Sequence, residues 1–312
     1  MTVFMIYTFR EPELLNRTVK ALSPHQVVIH VDAKIDQTPF EAAIRMEDKA
    51  RVTFLPNRVR VNWGGYSQVD AIRRLVAEAI CRASPDEYLI MLSGQDYPIK
   101  SVPEIEKQLT LGRGRQYLRY FEVAASEPIY MAQVSHRHHR DLPIGSNHTG
   151  NVRVRKARNF LIRAAEKMSS LGPALKPPPG LRVAHGATHF AITASFAEDL
   201  ESLITPEIEN YFRKVFCPEE KFYHSLAALS ARSAETGGTL DGGFEPYTGR
   251  GNWRYSNLHH IDETLVKVYT EDDWEEVRNS QKFFLRKLES ERSSRLLQMI
   301  DDELLPSTSD VM

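Results

Sequence analysis

Two adjacent carboxylates, Glu219 and Glu220, follow Pro218 in FCPEEKFYHSLAALSAR (216–232), a segment that reads as extended and then helical from Pro218. Neighbouring side chains on a helix point differently, so one carboxylate could be a general base in a cleft while the other is solvated. The plainer alternative is a pair of negative charges favouring a helix N-terminus. Four cations, Arg250, Arg254, Arg286 and Lys287, lie in the last third, two of them beside apolar neighbours in FFLRKLE. Cations held against apolar surface suit a pyrophosphate, although solvated Arg and Lys are commoner. Asp32 closes the apolar run QVVIHVD, where a carboxylate either hydrogen-bonds a ribose or base or caps a helix. NWGGYS (62–67) sets Trp63, Gly64 and Gly65 ahead of a helix. Such a turn can bring backbone N–H groups to a phosphate and an aromatic face to a base, or simply bury a Trp. No GxGxxG follows the first strand, so the dinucleotide fingerprint is missing.

These groups need a scaffold, and the first half supplies its pattern. Short β-rich runs at 3–9, 26–32, 51–56, 87–94 and 116–123 alternate with helical periodicity at 11–22, 39–50 and 67–83. That alternation predicts an α/β fold with a central, mainly parallel, twisted sheet flanked by helices. Ser67 and Asp70 predict a capping box on the third helix. In such sheets ligands sit beyond the carboxyl ends of strands, which marks Asp32 and the tip Ser93-Gly94-Gln95-Asp96. Residues 124–182 read as an excursion with a basic helix around VRVRKARNFLIR (152–163), ending at Pro177, Pro178, Pro179 and Gly180. A strand at 188–193, a helix at 195–204, a Gly-rich loop at 236–253 and helices near 271–279 and 281–300 follow, with a disordered tail at 306–312.

Composition narrows the classes. The 312 residues carry 40 Lys+Arg against 41 Asp+Glu, a formal net charge of -1, which argues against a dedicated nucleic-acid protein. Cys81 and Cys217 are far apart and without CxxC spacing, so both are expected to be reduced and buried. Neither a signal peptide nor an 18-residue apolar run is evident, so a cytoplasmic location is expected. The glycosylation pattern at Asn16 and Asn147 carries no weight in such a chain. His136, His138, His139 and His148 lack zinc-finger spacing, which disfavours a zinc or nucleic-acid module.

Read together and in order, the motifs resemble the core-2/I-branching β-1,6-N-acetylglucosaminyltransferase and peptide xylosyltransferase family, glycosyltransferase family 14. IHVDAK (29–34) is similar to its "HVD" strand, NWGGYSQVDA (62–71) to "WGG-x-S" and LSGQDYPIK (92–100) to "SGxDYPI". GATHFAIT (186–193) is similar to "G-S-x-x-F-x-x-T", CPEEKFYHSL (217–226) to "SPxExFxxT" and KFFLRKLE (282–289) to "FARKF". The resemblance spans some 260 residues. It implies a single GT-A-like domain over 1–305, with a nucleotide-binding half at about 1–123, the excursion at 124–182 and an acceptor half at 183–305.

The resemblance further implies a UDP-sugar donor and inverting transfer to a hydroxyl. Glu220 matches the family's general base. Arg254 and Lys287 match the cations that stabilise the leaving diphosphate in place of a metal, and the chain contains no Asp-x-Asp. No metal or other cofactor is therefore expected. Asp32 and Trp63 would contact uridine, and Gly64 and Gly65 would let the donor approach the backbone. Asp96 and Glu122, at strand ends on one rim, are acceptor-side candidates, with local capping the alternative for Asp96. Trp253 or Tyr247 could stack on a sugar ring or simply pack. Thr188 stands where peptide xylosyltransferases tend to carry Asp, which favours GlcNAc over xylose. The expected partner is a glycan or lipid-linked acceptor in bacterial surface polysaccharide synthesis. Peripheral membrane contact through 152–163 is a further expectation, with a solvated helix face the alternative. A non-catalytic UDP-sugar-binding protein of the same fold is the rival reading.

Overall fold

A computed structural model describes residues 2–112, 114–142, 152–237 and 242–305. The expected tail at 306–312, His148, the Asn147 pattern and parts of the 124–182 excursion and 236–253 loop lie outside the described residues. The first half runs β1 (Val3–Thr8), α1 (Pro12–Ala21), β2 (Gln26–Val31), α2 (Thr38–Ala43), β3 (Val52–Phe54), α3 (Ser67–Ile80), β4 (Tyr88–Ser93), β5 (Asp96–Pro98), α4 (Val102–Leu111) and β6 (Tyr120–Glu122). After it come α5 (Pro128–Ser135), α6 (Val152–Ser170), β7 (Ala184–Gly186), β8 (Ala191–Thr193), α7 (Ala194–Ser202), α8 (Pro206–Phe212) and α9 (Phe222–Leu229). The chain closes with β9 (Phe244–Glu245), β10 (His259–Ile261), α10 (Trp274–Arg278), β11 (Phe284–Arg286) and α11 (Ser294–Glu303).

The main sheet has the order β3-β2-β1-β4-β8. Its first four strands are parallel, and β8 pairs antiparallel with β4. Parallel strands covered on both faces must be apolar throughout, which is why β1, β2 and β4 read as nearly unbroken hydrophobic runs. Helix α3 lays Val69, Ile72, Leu75, Val76 and Ala79 against one face of this sheet. Helix α1 buries Leu15 and Val19 in the apolar cluster on the opposite side. This mixed α/β architecture with a parallel-dominated sheet is the GT-A-like fold expected from the sequence. Two small sheets complete it, β10-β11-β5 and β7-β6-β9.

Several local expectations are corrected. The helix expected over 281–300 is strand β11 followed by α11, because Phe284 and Leu285 alternate into two different apolar clusters, a period of two. The helix expected over 39–50 stops at Ile44, whose backbone is extended, and resumes as a 3₁₀ segment over Met46–Arg51. No capping box forms at Ser67, whose Oγ accepts from Asn62 N and donates to Asp141 instead. The strands expected at 116–123 and 188–193 shorten to β6 and β8, and Cys81, expected to be buried like Cys217, is exposed where α3 ends.

Candidate active site

Glu220 owes its position to a tight turn. Cys217 is left-handed (φ 46°), Pro218 then opens a 3₁₀ turn over Pro218–Glu220, and the Glu220 amide donates to Cys217 O at 3.2 Å. Lys221, fully buried, donates Nζ to Phe216 O and Cys217 O, both at 3.1 Å, and clamps the turn from beneath. Phe222, Tyr223 and Leu226 of α9 anchor it in the core. The Glu220 side chain is 21% exposed and lies at a cavity wall. Its Oε1 accepts from Asn252 Nδ2 at 2.7 Å, and its Oε2 is 3.8 Å from His185 Nε2. Burial raises the Glu220 pKa, against the opposing pull of Lys221 and the Asn252 hydrogen bond. Glu219 is more deeply buried, and burial followed by repulsion from Glu220 raises its pKa too. Its Oε2 has no hydrogen-bond partner among the described residues.

The cavity holds about 520 Å³ and is open at its mouth. Arg10, Arg286 and Lys287 line it together with Glu219 and Glu220. Arg10 comes from the tip of central strand β1, and Arg286 and Lys287 from the end of β11. Arg10 Nη2 donates to Gln95 Oε1 at 2.6 Å. Arg286 Nη1 is 2.7 Å from Asp96 Oδ1 and also donates to Ser93 Oγ. Burial lowers the Lys287 pKa, and the adjacent Arg286 and Arg10 lower it further. Among the described residues no carboxylate is ion-paired to Lys287, and such concentrated positive charge is what a bound polyanion would stabilise. Tyr7 stands within electrostatic reach of Arg286 and both glutamates, its pKa pushed up to about 12 chiefly by burial.

The Trp63 turn forms another part of the rim. Trp63 is 61% exposed, lines the cavity and packs edge-on against Phe216 at 5.4 Å. The glycines after it serve the packing behind. Gly64 has φ 74°, and a Cβ there would come within 2.8 Å of Phe216. A Cβ on Gly65 would come within 2.4 Å of Asp141 Oδ1. That carboxylate receives Ser67 N at 2.9 Å, Ser67 Oγ at 2.6 Å and Asn62 Nδ2 at 3.1 Å. It thereby caps the start of α3 from a distant part of the chain.

Of the residues selected from sequence, Glu219, Glu220, Trp63, Arg286, Lys287 and the strand tip Ser93-Gly94-Gln95 meet at this cavity. Asp32 is buried beneath the β2 tip, accepting from Lys34 N at 2.9 Å and Val61 N at 3.3 Å, with Lys34 Nζ at 3.3 Å. Gly64 and Gly65 face protein side chains. Arg254 is exposed and stacks on Trp253 at 4.4 Å, in the same 3₁₀ turn as Asn252. Tyr247 donates to Glu127 at 2.7 Å and packs on Phe121 at 5.0 Å, in an aromatic cluster that also holds His185. Glu122 is paired with Arg182 beside a different cavity. Asp96 is fully buried and bonded to Ser93, His259 and Arg286, so it supports the wall without reaching the cavity.

Arg10, Asn252 and His189 are among the wall residues the sequence selection missed. Strand-tip logic applied to β1, and not only to β2 and β4, points to Arg10. Asn252 opens a short 3₁₀ turn after a Gly-rich stretch and gives no such signal. Asp96, His189 and His259 bring three ligand-type atoms within 4.8 Å of one another, all buried. Arg286 already supplies the charge that compensates Asp96, which leaves little for a cation to gain there.

The Core-2/I-Branching enzyme pattern matches residues 2–241. Over 221 residues the chain is 21% identical to a xylosyltransferase of Ciona intestinalis, a match covering 69% of this chain and 23% of that protein. The chain thus corresponds to about a quarter of the length of that relative. A solved structure of mannose-6-phosphate isomerase from Helicobacter pylori aligns with 67% of this chain and 78% of its own at 12% identity, with a TM-score of 0.31, too low to relate the folds. The matched pattern takes in the Trp63 turn, the Asp96 strand end and the Glu220 turn, and this chain belongs to the Core-2/I-Branching enzyme family.

Proposed function

We propose that the chain is an inverting glycosyltransferase that moves a sugar, GlcNAc foremost, from a UDP-sugar to a glycan hydroxyl in the assembly of a surface polysaccharide. The observation that carries this reading is one cavity lined both by a half-buried carboxylate with a raised pKa, Glu220, and by the cations Arg10, Arg286 and Lys287. Glu220 removes the acceptor proton as the hydroxyl oxygen attacks the anomeric carbon. The bond to the diphosphate breaks on the opposite face, its electron pair leaving with UDP, and the anomeric configuration inverts. Asn252 orients the base, and the cations stabilise the negative charge developing on the leaving diphosphate, without a metal. Trp63 on the rim offers a face for uracil. Arg254, which lies off the wall in this structure, would have to swing inward to join the diphosphate.

A xylosyl donor is the second reading, favoured by the xylosyltransferase relative. Thr188, which lines the cavity, stands against it, since the carboxylate that peptide xylosyltransferases tend to carry at the matching position is absent. UDP release measured with UDP-GlcNAc and UDP-xylose, in EDTA and again with Mn²⁺, separates these readings. Turnover of UDP-GlcNAc in EDTA supports the first reading and turnover of UDP-xylose the second. Strict dependence on Mn²⁺ overturns the role given to the cations, and silence on both donors with no UDP binding overturns the transferase reading.

A further inference from the structure

Helix α6 has two faces that differ in kind. Its inner face is tied down. Arg158, 2% exposed, donates to Arg140 O at 2.8 Å, Ile162 is buried, Glu166 takes Arg140 at 2.8 Å, and Ser169 meets His139 Nε2 at 2.8 Å. Its outer face is open and amphipathic. Ala157, Leu161, Ala164 and Met168 recur at spacings of four, three and four, and beside them Lys156, Phe160, Arg163 and Lys167 recur at the same spacings. Phe160 is 71% exposed and Met168 73%, and Leu171 just past the helix is 85% exposed. The helix carries six Lys and Arg against one acid, Glu166, which is turned inward.

We infer that this face lies on an anionic lipid bilayer, with the apolar stripe in the acyl boundary and the cationic stripe at the headgroups. Three observations choose this occupant. Large apolar groups left in water beside cations are the pattern of an interfacial helix. A second copy of the chain would bring like charges together along the seam. A nucleic acid would use the cations but leave Phe160, Met168 and Leu171 uncovered. The position adds a consequence for substrate. Arg140, which the inner face holds, stacks on Phe216 at 4.7 Å and lies 5.9 Å from Trp63 at the cavity rim. These contacts set helix α6 next to the rim with the bilayer on its far side, roughly 10 Å away, and the acceptor is a glycan carried on a lipid. This last step rests on the transferase reading, whereas the docking surface does not.

The test is sedimentation of the full chain with vesicles of phosphatidylcholine alone or mixed with phosphatidylglycerol. Binding is expected only with phosphatidylglycerol, weakened by salt. It should fall by at least roughly a hundredfold in the triple variant Lys156→Glu, Arg163→Glu, Lys167→Glu, since loss of each cation near an anionic surface alone removes about a factor of five and the new carboxylates add repulsion. Phe160→Ser with Met168→Ser should also weaken it, and the urea midpoint of both variants should stay near that of the parent because the altered side chains are exposed. Equal binding to both vesicles, or undiminished binding of the triple variant, overturns the inference. So does a dimer in sedimentation velocity that the serine variant dissociates, which would assign the face to a second copy. These readouts involve no sugar transfer, so failure of the transferase reading leaves them intact. For the acceptor, the charge-reversed variant should keep donor hydrolysis and lose transfer to a vesicle-borne glycolipid. Equal loss toward a soluble glycan would overturn that step.

Discussion

Asp96 and Arg286 are register partners across the antiparallel pairing of β5 and β11, and their side chains meet at 2.7 Å on a wall from which solvent is excluded at the carboxylate. Burial opposes the charge on Asp96, but Arg286 offsets it and the carboxyl is held well below the usual range. His189 and His259 stay neutral beside it, their own pKa values lowered mainly by burial. Asp96 is thus the counter-charge that fixes one cation of the cavity.

Asp96→Asn is expected to destabilise the fold by about 3 to 5 kcal/mol at neutral pH, because it leaves a buried guanidinium uncompensated. A carboxylate whose folded pKa is depressed contributes stability that is present above its unfolded pKa and is lost as pH falls through the folded value. Urea unfolding at several acid pH values should therefore show the parent converging on a flatter variant. A constant gap between the two would remove the assigned role.

Glu220→Gln should abolish transfer while UDP affinity is nearly kept, since the base acts on the acceptor and not on the nucleotide. In the parent, the rate should rise with pH through a limb placed above the ordinary carboxylate range, because burial favours the protonated acid. Undiminished turnover of the variant would exclude Glu220 as base.

Lys287→Ala should weaken UDP binding about ten- to a hundredfold, the range for losing a charge-assisted contact. The parent should also release UDP as pH rises toward a lysine pKa below the ordinary value, where the ammonium loses its proton. Calorimetric titration of UDP across alkaline pH reads both effects, and a variant with the parent's affinity would place the diphosphate elsewhere.

Glu219→Gln should stabilise the protein at neutral and alkaline pH. Burial raises the folded pKa of Glu219, so the stability tied to its protonated form is complete below the unfolded carboxylate pKa and lost as pH rises through the folded one. The amide keeps the neutral form at every pH. Thermal melts should separate above about pH 5 and coincide in stronger acid; a variant less stable throughout would mean that the ionised group is favoured in the fold.

Gly65→Ala should cost about 1 to 2 kcal/mol, the value of a helix cap, because the new methyl group displaces the Asp141 carboxylate from Ser67 and Asn62. Asp141→Ala should give a similar loss, and the double variant should be no worse than either alone. Additive losses in a urea series would show that the two act separately.

The parallel core was readable because long apolar strands and amphipathic crossover helices repeat strongly, as in β1, β2, β4 and α3. Strand β11 escaped because three residues are too few to display a period, and the alternation of Phe284 and Leu285 becomes visible only once two separate apolar clusters exist to receive them. Glu220, Trp63 and Lys287 were legible through motif order. Asp32 shows where a strand-tip carboxylate is ambiguous, since the same position that can greet a ribose can also cap the loop through Lys34 and Val61. Asn252 reaches Glu220 from a loop whose path no local propensity dictates, so only the folded chain reveals it.

The cavity draws on both ends of the chain, with Arg10 near the beginning and Lys287 close to the end. A ribosome making this protein will have released every strand of the main sheet before the segment bearing Arg286 and Lys287 emerges. The nascent chain can therefore close its principal core while the wall that bears these cations is still incomplete, and on the transferase reading proposed above nucleotide capture would follow closure of that core.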